Sequence, residues 1–217
     1  MEALISIITA SILLTSFAFL MQTRIHSMIA TFVCQSAMLS AVMVLHALKT
    51  GEHELYLSAL LTILLKVVFI PYLLKYFVAK LNIRHRVTDV RRPFLILIGA
   101  AALVLFCYRL VTPVSTVSWT QDNGNIAVAM AVMLLGMLLM ITHRKAISYI
   151  IGFMSMENGI FFAALVATKG MPMLVEFGII FDVFFASILF GIFFLKLRRS
   201  IDSLDVDRLN LLREDVE

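Results

Sequence analysis

Residues 147–168 read I-S-Y-I-I-G-F-M-S-M-E-N-G-I-F-F-A-A-L-V-A-T, and this stretch decides the fold class. An α-helix of this length crosses the hydrocarbon core of a bilayer, which is ~30 Å thick and requires about 20 apolar residues. One acidic residue, Glu157, lies near its middle. An apolar helix with one central carboxylate predicts a membrane span that keeps a charge inside the bilayer.

The rest of the chain repeats this apolar pattern. Of the 217 residues, 61% are hydrophobic and 15% charged, whereas soluble domains are about 45–50% apolar and about 25% charged. Hydropathy predicts seven spans, near 3–21, 26–48, 56–79, 94–112, 125–142, 147–168 and 173–196. We therefore predict an all-α polytopic membrane protein of about seven transmembrane helices, without a soluble catalytic domain.

Basic residues mark every second loop. The loops after predicted spans one, three, five and seven contain the basic clusters, whose members are Arg24, Lys80, Arg84, Arg86, Arg91, Arg92, Arg144, Lys145, Lys196, Arg198 and Arg199. Because positive loops stay in the cytoplasm, we expect the N-terminus outside and the C-terminus inside. The net charge of +4 then serves topology and contact with anionic membrane lipid. Nucleic-acid binding would require a basic face on a soluble domain, and we predict none.

The order of predicted spans and loops divides the chain into four parts. We predict an N-terminal three-helix membrane unit with a basic cytoplasmic loop (1–92), a linking transmembrane helix and external loop (93–124), a second three-helix membrane module (125–199) and a cytoplasmic tail (200–217). Residues 24–81 also align with 144–197, which pairs Lys66 with Asp182. The identities are few, so an internal duplication and a chance likeness between apolar helices both remain open.

Three ionisable residues lie near the middle of their predicted spans, namely Lys66, Glu157 and Asp182. Each is nine or ten residues into its span, which is ~13–15 Å from a membrane face. A charge at this depth is costly, by ~2.5–3.5 kcal/mol, and normally faces a partner or a wet cavity. We predict a proton pathway through these three residues. The alternative is a buried ion pair or hydrogen bond that fixes helix packing.

Other polar residues support this pathway less directly. Asn158 lies beside Glu157, and Gln35 and His46 lie in the second predicted span. Bonding between helices would explain Asn158 and Gln35 equally well, and an interfacial position would explain His46. Pro71, beyond Lys66, predicts a kink in span three. The only cysteines, Cys34 and Cys107, lie inside spans and form no metal-binding pattern, so we expect no metal, no cofactor and no catalytic residue.

Two quoted stretches resemble a known family. H-R-K-A-I-S-Y-I-I-G-F-M-S-M-E-N-G-I-F-F-A-A-L-V-A (143–167) is similar to the second helix of the K subunit of respiratory complex I, and D-V-F-F-A-S-I-L-F-G-I-F-F-L-K-L-R-R-S-I-D-S-L (182–204) is similar to its third helix and the segment after it. With about four spans before this K-subunit-like module, the whole chain resembles component E of hydrogenase-4. That family belongs to the membrane-bound hydrogenases related to complex I, including formate hydrogenlyase systems.

The resemblance implies a non-catalytic membrane subunit of an oxidoreductase complex. Its expected partners are antiporter-like membrane subunits together with nickel–iron hydrogenase and iron–sulfur subunits, in a bacterial or archaeal cytoplasmic (inner) membrane. The chain would anchor the complex and contribute buried charges to translocation of protons or sodium ions. Met154 and Phe185 occupy the family's two glutamate positions, and Glu157 and Asp182 lie one turn away on the same faces.

Two other functions remain open at the level of the sequence. The C component of multi-subunit cation/proton antiporters shares the K-like module, although it is usually only about three spans long. A purely structural membrane scaffold would also explain an apolar helical chain. The sequence leaves open which ion moves and which electron donor the complex uses.

Overall fold

The computed structural model describes residues 2–51, 53–80, 93–111, 121–143 and 146–167, and six residues between 180 and 191. The regular elements of these residues are all helical. In chain order they are α1 (Glu2–Met21), α2 (Ile25–Thr50), α3 (His53–Thr62), a π-helical segment (Ile63–Phe69), α4 (Ile70–Lys80), α5 (Pro93–Val111), α6 (Gln121–Thr142) and α7 (Ala146–Ala167). The described part of the chain therefore confirms an all-α protein.

Six helices of the described residues are long and apolar enough to cross a membrane. They are Ala3–Met21, Ile25–Lys49, Leu55–Ala79, Pro93–Val111, Gly124–Thr142 and Ile147–Ala167. Their ends agree with the first six predicted spans to within one residue. α3, the π-helical segment and α4 together form the third span. A multi-pass membrane protein is thus confirmed, while the seventh span (173–196) falls mostly outside the described residues and stays a prediction.

The chain divides into two compact units, Met1–Ile179 and Ile180–Glu217. In the second unit, the described residues are helical and exposed. The predicted tail (200–217) and the loop that follows α4 lie outside the described residues. Helices α1 to α7 and the π-helical segment all belong to the first unit.

Helix α2 lies at the centre of the first unit. It packs against α1, α3, the π-helical segment and α7, while α6 packs against α1, α5 and α7. The core between them contains Ile12 of α1, Leu39 of α2, Val132 of α6 and Phe162 of α7. Apolar side chains such as Ile7 and Leu14 remain exposed on the outside. In a bilayer, lipid tails cover such faces, so van der Waals packing and polar contacts between helices stabilise the bundle.

Glycines bring α6 and α7 into close contact. A Cβ atom on Gly159 would lie 2.6 Å from the backbone nitrogen of Met133, and one on Gly136 would lie 2.6 Å from that of Met156. Contacts this short leave no room for any side chain. Small residues at such positions let membrane helices approach until their backbones touch. The two helices therefore hold a fixed register, which fixes the position of every polar side chain on α7.

The third span changes its helical geometry at its middle. The backbone N–H of Ile70 donates to the carbonyl of Leu65, a bond from residue i to residue i−5. Pro71 follows directly and has no N–H to offer the preceding turn, which favours an irregular helix at this point. The kink predicted at Pro71 stays a prediction. What the structure shows is a π-helical segment just before Pro71, and Lys66 lies within it. π-Helical turns are rare and occur frequently at functional sites.

We predict that Gly159→Ala destabilises the protein by about 1–3 kcal/mol, because the added methyl group forces α6 and α7 apart. The free energy of unfolding in detergent measures this effect. Gly99→Ala is the matched control, since nothing lies within 4 Å of the Cβ position on Gly99. It should be neutral or slightly stabilising. Equal effects of the two substitutions would show that the α6–α7 contact is looser than described.

Candidate functional site

Lys66 lies at the centre of a polar cluster inside the helical bundle. Its side chain is 0% exposed, and its Nζ lies 3.5 Å from Oε2 of Glu157. The same nitrogen lies 4.3 Å from the centre of the Phe161 ring. The π-helical segment carries Lys66, and α7 carries both partners one turn apart. An ammonium group is thus placed between a carboxylate and the electron-rich face of an aromatic ring.

Asn158 connects this charged pair to α2. Its Oδ1 accepts a hydrogen bond from Lys66 Nζ at 3.3 Å. Its Nδ2 donates to Gln35 Oε1 at 3.3 Å and to Ser36 Oγ at 3.1 Å. Gln35 Nε2 in turn donates to Ser16 Oγ of α1 at 2.9 Å. Bonds between helices, one of the two explanations for Asn158 and Gln35, are confirmed, and the same bonds also reach Lys66.

The cluster is almost completely removed from solvent and from lipid. Lys66, Glu157, Asn158, Gln35 and Ser36 are all buried. A buried pair of opposite charges needs further hydrogen bonds to compensate for lost solvation, and Asn158 supplies one to Lys66. The separation of 3.5 Å is longer than the usual 2.7–2.9 Å of a charged hydrogen bond. The pair is therefore in contact without being tightly bonded.

This arrangement can hold a proton in two places. Lysine and glutamate side chains can each carry a proton, so such a pair has two forms, ammonium with carboxylate or neutral amine with carboxylic acid. Asn158 Oδ1 accepts a hydrogen bond from the lysine nitrogen in both forms. The cluster thus contains two groups of a kind that proton exchange would require.

The structure unites four of the six predicted site residues, namely Lys66, Glu157, Asn158 and Gln35. His46 is three turns further along α2 than Gln35, and its Nδ1 lies 3.3 Å from the carbonyl of Val42 in its own helix. It does not belong to the cluster. Asp182 lies outside the described residues. The role of Lys66, Glu157 and Asp182 in a proton pathway stays a prediction.

Sequence reasoning missed three features of the site. Phe161 was one apolar residue among many, although its position four after Glu157 puts both on one helical face. Ser16 carried no signal that it ends the hydrogen-bond chain. The π-helical geometry around Lys66 had only Pro71 as its sequence signal. Among the described residues, no three side chains of His, Cys, Asp or Glu are grouped as metal ligands.

His143 is buried although it directly precedes the basic residues Arg144 and Lys145 in the sequence. It is only 2% exposed at the end of α6. Burial lowers the pKa of the His143 imidazole below its usual value, while backbone hydrogen bonds to Gln22 and Leu139 oppose that shift. The imidazole is thus neutral at physiological pH. It contributes no permanent positive charge to this loop.

We predict that the Lys66–Glu157 pair shows strong coupling in a double-mutant cycle. Lys66→Met or Glu157→Leu alone leaves one buried charge without its partner and costs about 3–5 kcal/mol. The double variant should recover much of this loss, so that its cost falls below the sum by more than about 1 kcal/mol. The free energy of unfolding in detergent provides the measurement. Costs that add to within about 0.5 kcal/mol would contradict direct contact between the two side chains.

The chain is similar to several known proteins along most of its length. Hydrogenase-4 component E of Escherichia coli strain K12 is 29% identical over 184 residues, which cover 84% of each chain, and the Shigella flexneri protein of the same name gives the same values. An uncharacterized protein of Mycobacterium tuberculosis is 26% identical over 212 residues, or 97% of this chain and 96% of that protein. No protein-family model and no solved structure matches.

These similarities extend well beyond the two stretches that carried the resemblance. They bear on the chain as a whole, so the separate likeness of residues 125–199 to the K subunit of complex I stays a prediction. The aligned 84% of both chains supports the assignment of this protein to the hydrogenase-4 component E family.

Proposed function

We propose that this chain is a non-catalytic membrane subunit of a hydrogenase complex related to complex I, of the hydrogenase-4 or formate hydrogenlyase type. We further propose that its Lys66–Glu157 pair takes part in moving protons or sodium ions through the membrane. The chain-wide similarity to component E and the six membrane-spanning helices support the first part. One observation carries the second: a fully buried lysine contacts a glutamate at mid-span, within a π-helical segment.

The energetics of buried ion pairs favour a functional role for Lys66 and Glu157. Replacing such a pair by packed apolar side chains is often neutral or stabilising, so helix packing alone does not require one. In a membrane, replacing the ion pair by apolar side chains is even more favourable, because apolar side chains insert without a free-energy penalty. A pair that exchanges a proton, in contrast, must be ionisable and must not be open to both aqueous phases at once. The burial of Lys66 and Glu157 is consistent with both requirements.

Sodium translocation would use the same residues in another way. A sodium ion near Glu157 would compete with the Lys66 ammonium for the carboxylate, and Asn158 Oδ1 would offer a neutral oxygen ligand. Oxygen atoms are the ligands that hard cations prefer. Proton translocation would therefore remove a proton from Lys66. Sodium translocation would leave Lys66 charged and only separate it from Glu157.

In this proposal, other subunits of the complex surround the chain and supply the redox chemistry. Hydrogen chemistry would belong to nickel–iron and iron–sulfur subunits, while antiporter-like membrane subunits would lie beside this chain. Exposed apolar faces of α1, α3 and α5 offer surfaces for lipid or for such partners. We propose a bacterial or archaeal cytoplasmic membrane as its location, with the N-terminus outside, and Asp182 as a second acid of the same pathway.

A subunit of a multi-subunit cation/proton antiporter is the second candidate. Such a protein would use the same Lys66–Glu157 contact, since ion exchange also requires a buried titratable pair. The length of the aligned region favours the hydrogenase component, because it includes the helices that precede α6 and α7. The subunits that co-purify with the tagged chain decide between the two candidates.

We predict that Glu157→Gln abolishes ion translocation while hydrogenase turnover continues. The amide keeps the shape of the side chain but neither carries a negative charge nor takes up a proton. The measurement follows formation of the transmembrane gradient in everted vesicles during turnover, once with sodium and once without it. Glu157→Asp is the matched control, since it keeps the charge and should retain part of the activity.

Assembly must be verified in the same preparation. The Glu157→Gln complex should contain its nickel–iron and antiporter-like subunits in normal amounts. A normal gradient in an assembled Glu157→Gln complex would overturn the translocation role and favour a structural scaffold. A gradient that requires sodium would identify the ion.

A further inference from the structure

Several buried polar atoms lie in one half of the bundle, away from the Lys66 cluster. Among the described residues, Ser155 Oγ, His143 Nε2 and Gln22 Oε1 have no hydrogen-bond partner. Ser155 is 1% exposed and His143 is 2% exposed. Leaving such atoms unpaired is costly, and ordered water usually satisfies them in folded proteins.

The buried hydroxyls of the other half provide a direct comparison. Thr9 Oγ1 donates to the carbonyl of Ile5 at 2.8 Å, and Ser40 Oγ donates to that of Ala59 at 3.3 Å. Thr62 Oγ1 contacts the sulfur of Met43 at 3.9 Å. These residues lie toward the N-terminal end of α1 and the start of the third span, beyond Lys66. Protein atoms accept hydrogen bonds from these hydroxyls, whereas the Ser155 hydroxyl has no hydrogen-bond partner.

The polar residues of α7 form one line along the helix. Ser148, Ser155 and Asn158 are separated by seven and three residues, which places all three on one face of an α-helix. Ser155 lies one turn before Asn158, and Ser148 lies ~10 Å further from it along the axis. Ser148 Oγ meets only a weak acceptor, the sulfur of Met28 at 3.8 Å. Asn158, at the end of the line, contacts the Lys66 nitrogen.

His143 and Gln22 lie at the end of the bundle where this line begins. His143 follows α6 and precedes α7, while Gln22 lies in the turn between α1 and α2. The backbone of Gln22 lies close enough to the His143 imidazole to raise its pKa, against the lowering caused by burial. Gln22 Nε2 also donates to Thr31 Oγ1, which leaves its Oε1 free to bond elsewhere. Polar atoms thus extend from the α1–α2 turn toward the middle of the membrane.

We propose that a one-sided hydrated route runs along α7 from His143 and Gln22 past Ser148 and Ser155 to the Lys66 ammonium. The unpartnered atoms of Gln22, His143 and Ser155 bind its water molecules. The route gives the buried pair access to one aqueous phase, on the side of the α1–α2 turn, which the charge pattern predicts to be cytoplasmic. This inference deepens the proposed translocation role by naming the side from which ions or protons arrive.

Beyond the cluster the route ends. The next two turns of α7 bury Phe162, Leu165 and Val166, which offer no hydrogen bonds to water. The sideways connection from Asn158 through Gln35 to Ser16 consists of two amide groups and a hydroxyl, which orient the lysine but do not take up and release protons at neutral pH. Along α7, apolar side chains lie on one side of the Lys66 cluster and the polar line lies on the other. A gated ion path requires such an asymmetric arrangement.

Accessibility of a cysteine to silver ions tests this route without any turnover. Silver ions are charged, bind thiolates and are small enough to follow a file of water. Ser155→Cys is placed in the complete complex, in sealed vesicles of either orientation and in chloride-free buffer. The blocked fraction is measured by alkylation after denaturation, with peptide mass spectrometry to separate it from native Cys34 and Cys107. We expect reaction roughly tenfold or more faster from the side of the α1–α2 turn.

Three controls complete the experiment. Thr23→Cys, exposed in the α1–α2 turn, reports which vesicle orientation presents that side. Val132→Cys, fully buried in the apolar core at the middle of α6, lies off the polar line and should react slowly from both sides. Ser148→Cys replaces Ser155→Cys if that complex does not assemble.

Two outcomes would overturn the route. One is a slow reaction of the Ser155→Cys thiol from both sides, or a faster one from the far side. The other is equal reactivity at Val132→Cys, which would show general loosening of the bundle. A normal gradient in the assembled Glu157→Gln complex would overturn the translocation role without changing the silver accessibility of Ser155→Cys, so the two proposals fail separately.

Discussion

One constraint governs this structure: an ammonium group in the middle of an apolar bundle must receive from protein atoms what water would otherwise supply. Lys66 receives a carboxylate, an amide oxygen and an aromatic face, all from α7. Such a fit requires that α7 and the third span keep a fixed distance and register. Close packing of α6 on α7 through glycines fixes the position of α7. On the third span, Lys66 lies in the π-helical segment just before Pro71.

The polar residues of the bundle fall into two groups with different physical consequences. The hydrogen-bonded chain from Lys66 through Asn158 and Gln35 to Ser16 ties three helices and the lysine together. It restrains the nitrogen and leaves little freedom for water. The second group, toward His143, has atoms that no described residue satisfies. If water binds to these atoms, as we propose, the site would receive a charge from one direction only. The proposed route would in this way connect the packing of the bundle to the proposed translocation.

The sequence predicted the spans well and the site only in part. Apolar runs set the ends of the first six spans to within one residue, because the thickness of the bilayer fixes the helix length. Equal depth of Lys66 and Glu157 followed from counting residues along each span. Their contact did not, since it depends on how α2, α7 and the third span pack. The burial of His143, which directly precedes Arg144 and Lys145 in the sequence, had no signal at all, and Asp182 lies outside the described residues.

The central claim is that Lys66 is paired with α7 inside the assembled complex, and an experimental structure of that complex tests it most directly. Cryo-electron microscopy of the purified complex should show the Lys66 nitrogen in contact with Glu157 and Asn158, on a third span with π-helical geometry at Ile63–Phe69. Density that places the Lys66 side chain against lipid, or against an acidic residue of another subunit and away from Glu157, would contradict the account.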